Sequence, residues 1–68
     1  MKLHITLNGS QLSFDKSITI EDLLISLEYK IQNIAVEIDG ILCPRSQYKK
    51  THITNDMMIE IVSFVGGG

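Results

Sequence analysis

Apolar and polar positions alternate at the start of the chain: Leu3, Ile5 and Leu7 fall on one side, Lys2, His4 and Thr6 on the other. A period of two is that of a strand with one buried face. Asn8-Gly9 follows, a pair whose tolerance of positive φ makes it the strongest short signal for a two-residue hairpin. Beyond it Leu12 and Phe14 alternate with Gln11 and Ser13, so the first two strands are expected to pair antiparallel. The period then changes. Ile20, Leu23, Leu24 and Leu27 recur every three to four residues, the apolar stripe of a helix. Thr19 is placed to cap it, with Asp22 completing a variant capping box and Ile18 and Leu23 spaced as a hydrophobic staple. The helix is expected to end near Tyr29-Lys30, where a lysine suits the negative end of the dipole.

Alternation returns in Ile34, Val36 and Ile38 against Ala35 and Glu37, a third strand closed by the turn pair Asp39-Gly40. Ile41-Leu42-Cys43 reads as a short strand stopped by Pro44, which has no N–H to give a ladder. Residues 45–52 are polar and read as a short turn of helix plus loop, Asn55-Asp56 as a turn, and 57–65 as the last strand. One amphipathic helix and one sheet leave the helix a single sheet face to cover. The fold class is therefore α+β: a ubiquitin-like β-grasp, a mixed sheet of four to five strands with one main helix packed on one face. The last strand is expected beside the first, in the middle of the sheet. Residues 1–65 form the β-grasp domain and 66–68 a flexible glycine tail.

Composition narrows the chemistry. In 68 residues, 44% of them hydrophobic, there is one domain near the lower size limit for folding without staples. Cys43 is the only cysteine, so neither an internal disulfide nor a cysteine zinc site can form. The start of the chain lacks a signal-peptide core and no run is long enough to span a membrane, which points to the cytoplasm, or to a plastid stroma if the gene is plastid-borne. A formal charge of −2 argues against nucleic acid and is compatible with docking on a basic enzyme surface.

Gly66-Gly67-Gly68 is the one feature that core packing does not explain. Three residues without side chains make a thread reaching about 10 Å past the last strand, thin enough for a narrow channel. Its carboxylate is a poor acyl donor until attack on the α-phosphorus of ATP converts it to an acyl adenylate. A sulfur nucleophile can then take the acyl group. That step needs Mg²⁺ and cationic clamps. The chain has no phosphate loop, so a second protein must supply them, and the chain itself is a carrier rather than an enzyme, with no cofactor of its own. The opposing interpretation is a frayed end or an appended linker.

Strand parity places Ile59 and Ile61 against the helix, and Met58, Val62 and Phe64 on the open sheet face with Lys2, His4 and Thr6. Exposed Val62 and Phe64 beside the tail suggest a docking patch. Alternatively Phe64 folds over the sheet edge or packs on residues 45–52; both possibilities stand. Other candidates are weaker. Cys43 has no histidine partner at useful spacing, and His4 and His52 lack ligand partners. Arg45 either binds a partner's acid or fixes its loop through backbone carbonyls, the latter favoured. Lys49-Lys50 reads as a solvated pair, Met57-Met58 as strand-end packing, and Glu21, Asp22 and Glu28 as helix-surface acids.

Several blocks occur together in order: Asn8-Gly9, Thr19-Ile20-Glu21-Asp22-Leu23-Leu24, Ile34-Ala35-Val36-Glu37-Ile38-Asp39-Gly40, Pro44-Arg45 with Tyr48, and Ile59-Glu60-Ile61-Val62-Ser63-Phe64-Val65-Gly66-Gly67-Gly68. With them the chain resembles, over its whole length, the ThiS family of sulfur carriers in thiamine biosynthesis. The resemblance implies adenylation by a ubiquitin-type, ThiF-like activating enzyme that uses ATP and Mg²⁺. It implies conversion of Gly68 to a thiocarboxylate, with sulfur from a donating enzyme, and delivery of that sulfur to a ThiG-like thiazole synthase. Gly68 is then the modified residue, and Gly66 and Gly67 thread the partner's active site. A monomer suits such a carrier. Two departures stand out: Asn55 where the family usually has Gly before an Asp, tolerable because Asn accepts positive φ, and Cys43 where an aliphatic residue is common. Alternatives are a ubiquitin-like protein modifier, with Gly68 in an isopeptide bond, and a molybdopterin-type sulfur carrier.

Overall fold

The computed structural model describes residues 2–64. Five strands, β1 (Leu3–Leu7), β2 (Ser10–Phe14), β3 (Ile34–Ile38), β4 (Ile41–Cys43) and β5 (Met58–Ser63), form one sheet in the order β2-β1-β5-β3-β4. β1 and β5 pair in parallel at the centre, and the other pairings are antiparallel. One helix, α1 (Ile20–Ser26), and two 3₁₀ turns, Ile31–Asn33 and Arg45–Gln47, complete the elements of the described residues. The β-grasp expectation, with last strand beside first, is met.

Both hairpin turns form as their sequences require. Asn8 and Gly9 have φ of 48° and 84°, Asp39 and Gly40 of 51° and 84°, so both central residues lie in the left-handed region, as a type I′ turn demands. The helix start is also as expected. The Thr19 hydroxyl accepts from the Asp22 N–H and the Asp22 carboxylate accepts from the Thr19 N–H, both at 3.1 Å. Such a threonine cap contributes ~1 kcal/mol.

The helix end differs from expectation. The last helical residue is Ser26, Leu27 is the cap, and Glu28 turns left-handed at φ 64°. Glu28 N–H then donates to Ile25 and Tyr29 N–H to Leu24, the paired bonds of a Schellman motif. Glycine usually holds that position, so its absence hid the stop. Lys30 is therefore outside the last turn, and Leu27, expected on the buried stripe, is 42% exposed.

The core joins Ile5 from β1, Ile20, Leu23 and Leu24 from α1, Ile34 and Val36 from β3, and Ile59 and Ile61 from β5. Tyr48 and Ile53 belong to it as well, although Tyr48 sits in the polar stretch 45–52 and Ile53 directly follows it, outside any expected element. Burial of each such side chain is worth ~1.5–3 kcal/mol, and here it also fixes the loop. Ile53 N–H donates to the Ile18 carbonyl, and the Thr51 and Tyr48 carbonyls accept from the Ile20 and Glu21 N–H groups. The open end of the helix is thereby filled by this chain's own carbonyls.

The last strand begins at Met58 rather than Met57. Before it, Met57 N–H donates to the Thr54 carbonyl across a turn whose left-handed residue is Asp56, at φ 67°, and not Asn55. Asn55 is occupied otherwise: its side-chain oxygen accepts from the His4 N–H at 2.8 Å.

Candidate functional site

β5 is the central strand and leads directly toward the glycines, so the sheet around its C-terminal end is the candidate site. Its burial alternates cleanly: Ile59 and Ile61 are buried, while Met58, Glu60 and Val62 are exposed. The expected parity therefore holds. Met58, Val62 and Phe64 are all more than half exposed, at 53%, 54% and 54%. On this open face Val62 stands opposite Ala35, Met58 opposite Thr6, and Glu60 opposite Glu37, which is itself opposite Leu42. The result is an apolar strip with two carboxylates facing each other across β5 and β3. Like charges so placed oppose pairing and are tolerated where water reaches both.

Phe64 lies just beyond β5, and its N–H donates to the Asn33 carbonyl at 2.8 Å. That bond carries the strand's direction one residue past its ladder. Gly66, Gly67 and Gly68, like Val65, lie outside the described residues.

Asn8 also belongs to this end of the molecule, and sequence inspection noticed it only as a turn residue. Its side-chain oxygen accepts from the Ile61 N–H at 2.8 Å, and its side-chain nitrogen donates to the Ile61 carbonyl at 3.3 Å. A turn pair predicts a backbone shape. It does not reveal a side chain bonding to a strand 53 residues away.

The remaining candidates carry no chemistry of their own. Cys43 is a buried free thiol with Sγ 3.8 Å from the Pro44 carbonyl. His4 shares a 3.0 Å hydrogen bond with Ser13, and His52 is exposed and bridges to Thr19. Arg45 donates a long bond, 3.4 Å, to the Gln32 carbonyl, the loop-fixing role favoured for it. Met57 packs on the core whereas Met58 does not, so the pair does not act together. A hollow lined by His4, Ile5, Thr6, Gln11 and Asp56 sits toward the start of β5, at the far end from Phe64. Among the described residues no group of three or more His, Cys, Asp or Glu is placed to hold a metal, and no helix is long and apolar enough to cross a membrane.

Among the described residues two ionisable groups are shifted. The Asp22 carboxyl is held below its ordinary value, first by the Thr19 N–H and then by the Thr19 hydroxyl. Burial pushes the Tyr48 phenol up. Neither is near the end of β5; one serves the helix cap and the other the core.

A five-stranded mixed sheet grasping one helix, with an exposed apolar strip along the central strand that runs out toward three glycines, defines a small ubiquitin-like carrier. Comparison with known proteins specifies which. The ThiS family model matches residues 5–68, and the chain belongs to that family of sulfur carriers in thiamine biosynthesis. It is 34% identical to the sulfur carrier protein ThiS of Bacillus subtilis over 94% of this chain and 98% of that protein. It is 33% identical to a thiazole synthase of Paramagnetospirillum magneticum over 97% of this chain, which spans only 20% of that protein's length. The crystal structure of the thiamine biosynthesis protein ThiS from Geobacter metallireducens superposes with a TM-score of 0.82 at 26% identity, covering 97% of this chain and all of the other.

Proposed function

We propose that this chain carries sulfur as a thiocarboxylate on Gly68 and gives it up for the thiazole ring of thiamine. The observation that carries this is the family match, which runs through the glycines to residue 68 rather than stopping at the folded domain. In the first step the Gly68 carboxylate attacks the α-phosphorus of ATP and pyrophosphate leaves. ATP and Mg²⁺ are held by a ThiF-like activating enzyme. In the second, a hydrosulfide equivalent from a sulfur-donating enzyme attacks the acyl carbon and AMP leaves. This chain contributes the acyl group and the surface that presents it, with Gly66 and Gly67 as clearance and Val62 and Phe64 as the handle.

The second partner is a thiazole synthase. Its support is that a domain like this chain makes up a fifth of the length of thiazole synthases in two bacteria, Paramagnetospirillum magneticum and Magnetococcus marinus. Two functions joined in one polypeptide commonly act on one another's products.

The test is intact mass. Incubation with a cognate activating enzyme, ATP and a sulfur source is expected to add about 16 Da, oxygen replaced by sulfur, and removal of Gly67-Gly68 to abolish the gain. High-mass conjugates in place of that gain would instead establish a protein modifier. For the docking patch, Phe64→Ala is expected to raise the KM for the carrier about tenfold with the fold intact. Adenylation as fast as the parent's at low carrier concentration would remove Phe64 from the interface.

A further inference from the structure

β5 outruns β1. The parallel ladder sets Met58 and Ile59 beside Thr6 and Leu7, and the last backbone bond between the two strands runs from Asn8 N–H to the Ile59 carbonyl, at 2.9 Å. There the chain turns away at Asn8-Gly9. In that ladder Met57 and Ile59 offer their carbonyls toward β1, and Ile61 is the next residue to face the same way. Its N–H and carbonyl would meet no backbone. The Asn8 carboxamide fills the gap, accepting from the N–H and donating to the carbonyl. A primary amide is a peptide group without a chain, so the side chain extends β1 by one ladder step that the backbone does not take.

On the other side β5 stays paired through Ser63, opposite Ile34, and Phe64 bonds to Asn33. Among the described residues, Ile61 is thus the last β5 position whose backbone is bonded on the β1 side. Beyond it Val62 and Phe64 turn their backbone groups toward β3, with Phe64 N–H donating to the Asn33 carbonyl, while Ser63 faces the side that β1 has left. A tail drawn into a partner's channel pulls on this end of the strand.

From this we infer that Asn8 is a positioning residue for the chemistry at Gly68: its carboxamide fixes the base from which the tail is offered to the activating enzyme. The inference rests on the reading that Gly68 is the activated residue. Asn8 touches neither ATP nor the reacting carboxylate. It acts through Ile61, by keeping the exit of β5 from fraying on the β1 side.

Two variants test it. Asn8→Gly preserves the left-handed turn and removes both side-chain bonds. Asn8→Asp also suits the turn and keeps only the acceptor. Amide hydrogen exchange and adenylation kinetics with a cognate activating enzyme are measured on both. In Asn8→Gly the Ile61 amide is expected to exchange about tenfold faster relative to strand-centre amides of β3, while kcat for adenylation falls about tenfold and the KM for the carrier changes less than about twofold. Asn8→Asp is expected to recover part of the Ile61 protection and part of kcat, and it carries the same test should Asn8→Gly fail to fold. Unchanged kcat alongside faster Ile61 exchange, or unchanged exchange at Ile61, overturns the positioning role. If the parent protein itself is not adenylated while Ile61 still loosens in the variants, the assignment of Gly68 as the activated residue fails, and the positioning role with it.

Discussion

The two hairpin turns share a backbone shape and grip opposite ends of the same strand. Asp39 faces the start of β5: its N–H donates to the Met58 carbonyl at 2.7 Å and its carboxylate accepts from the Met58 N–H at 2.9 Å. Asn8 faces the end of β5, but its N–H is already committed to Ile59, so its side chain must supply both a donor and an acceptor to Ile61. A carboxylate meets the first need and cannot meet the second, because it has no N–H. The two letters in Asn8-Gly9 and Asp39-Gly40 are interchangeable as turn formers. They are not interchangeable as clamps. Which residue opens a type I′ turn is decided here by what its own backbone N–H is already doing.

The sharpest way to break this contrast is to exchange the two residues. Asn8→Asp leaves the half-buried Ile61 carbonyl without its donor and sets a carboxylate beside it, an expected loss of about 1–3 kcal/mol in urea unfolding. Asp39→Asn keeps an acceptor for Met58 and is expected to stay within about 0.5 kcal/mol of the parent. Equal losses would mean that turn propensity alone sets the choice. Next in size, Gly9→Ala and Gly40→Ala place a Cβ at φ of 84° in both turns, where nothing lies within 4 Å of it. Backbone strain is then the whole effect, about 1–2 kcal/mol in each by thermal unfolding. A markedly larger loss at Gly9 would show that the Asn8 clamp needs the turn held more exactingly than the Asp39 clamp does.

The smallest effect is in pH, and it sets a second aspartate, Asp22, beside Asp39. Asp22 has a carboxyl held below its ordinary value by the Thr19 N–H and hydroxyl. A depressed folded-state value means that its contribution is complete above the ordinary carboxylate range and is lost as pH falls through the folded value. Asp22→Asn is therefore expected to flatten the acid limb of a stability–pH curve while leaving the neutral plateau nearly level. An unchanged acid limb would place the acid sensitivity elsewhere.

Much of this arrangement is written in the order of residues. Alternation marks most of the strands, and the place of β5 beside β1 in the middle of the sheet follows from topology, whereas its pairing with β3 is seen only in the structure. The parity that exposes Met58, Val62 and Phe64 came from one acidic residue, Glu60, which cannot face the core. Thr19 and Asp22 announced the helix start because both halves of that cap are local. The misses share a different cause. Glu28 ends the helix in a conformation that sequence patterns assign to glycine, and Asp56 takes the left-handed turn position expected of Asn55. Tyr48 lies in the polar stretch 45–52 and Ile53 directly after it, neither with a period around it, so nothing local marks them as core; they are buried because this segment wraps the start of α1. The Asn8 clamp was invisible for the same reason, since its partner is settled by strand order and not by neighbours in the chain.

The parallel pairing of β1 with β5 has a practical corollary. With Thr6 level with Met58, the first residue of β1 and the last of β5 are separated along the sheet by about 26 Å of strand rise. Leu3 and Ser63 mark opposite poles. A bead, fluorophore or fused domain joined ahead of Lys2 would hold the molecule by one pole and leave the other turned outward, the orientation a surface-binding or pull-down assay needs.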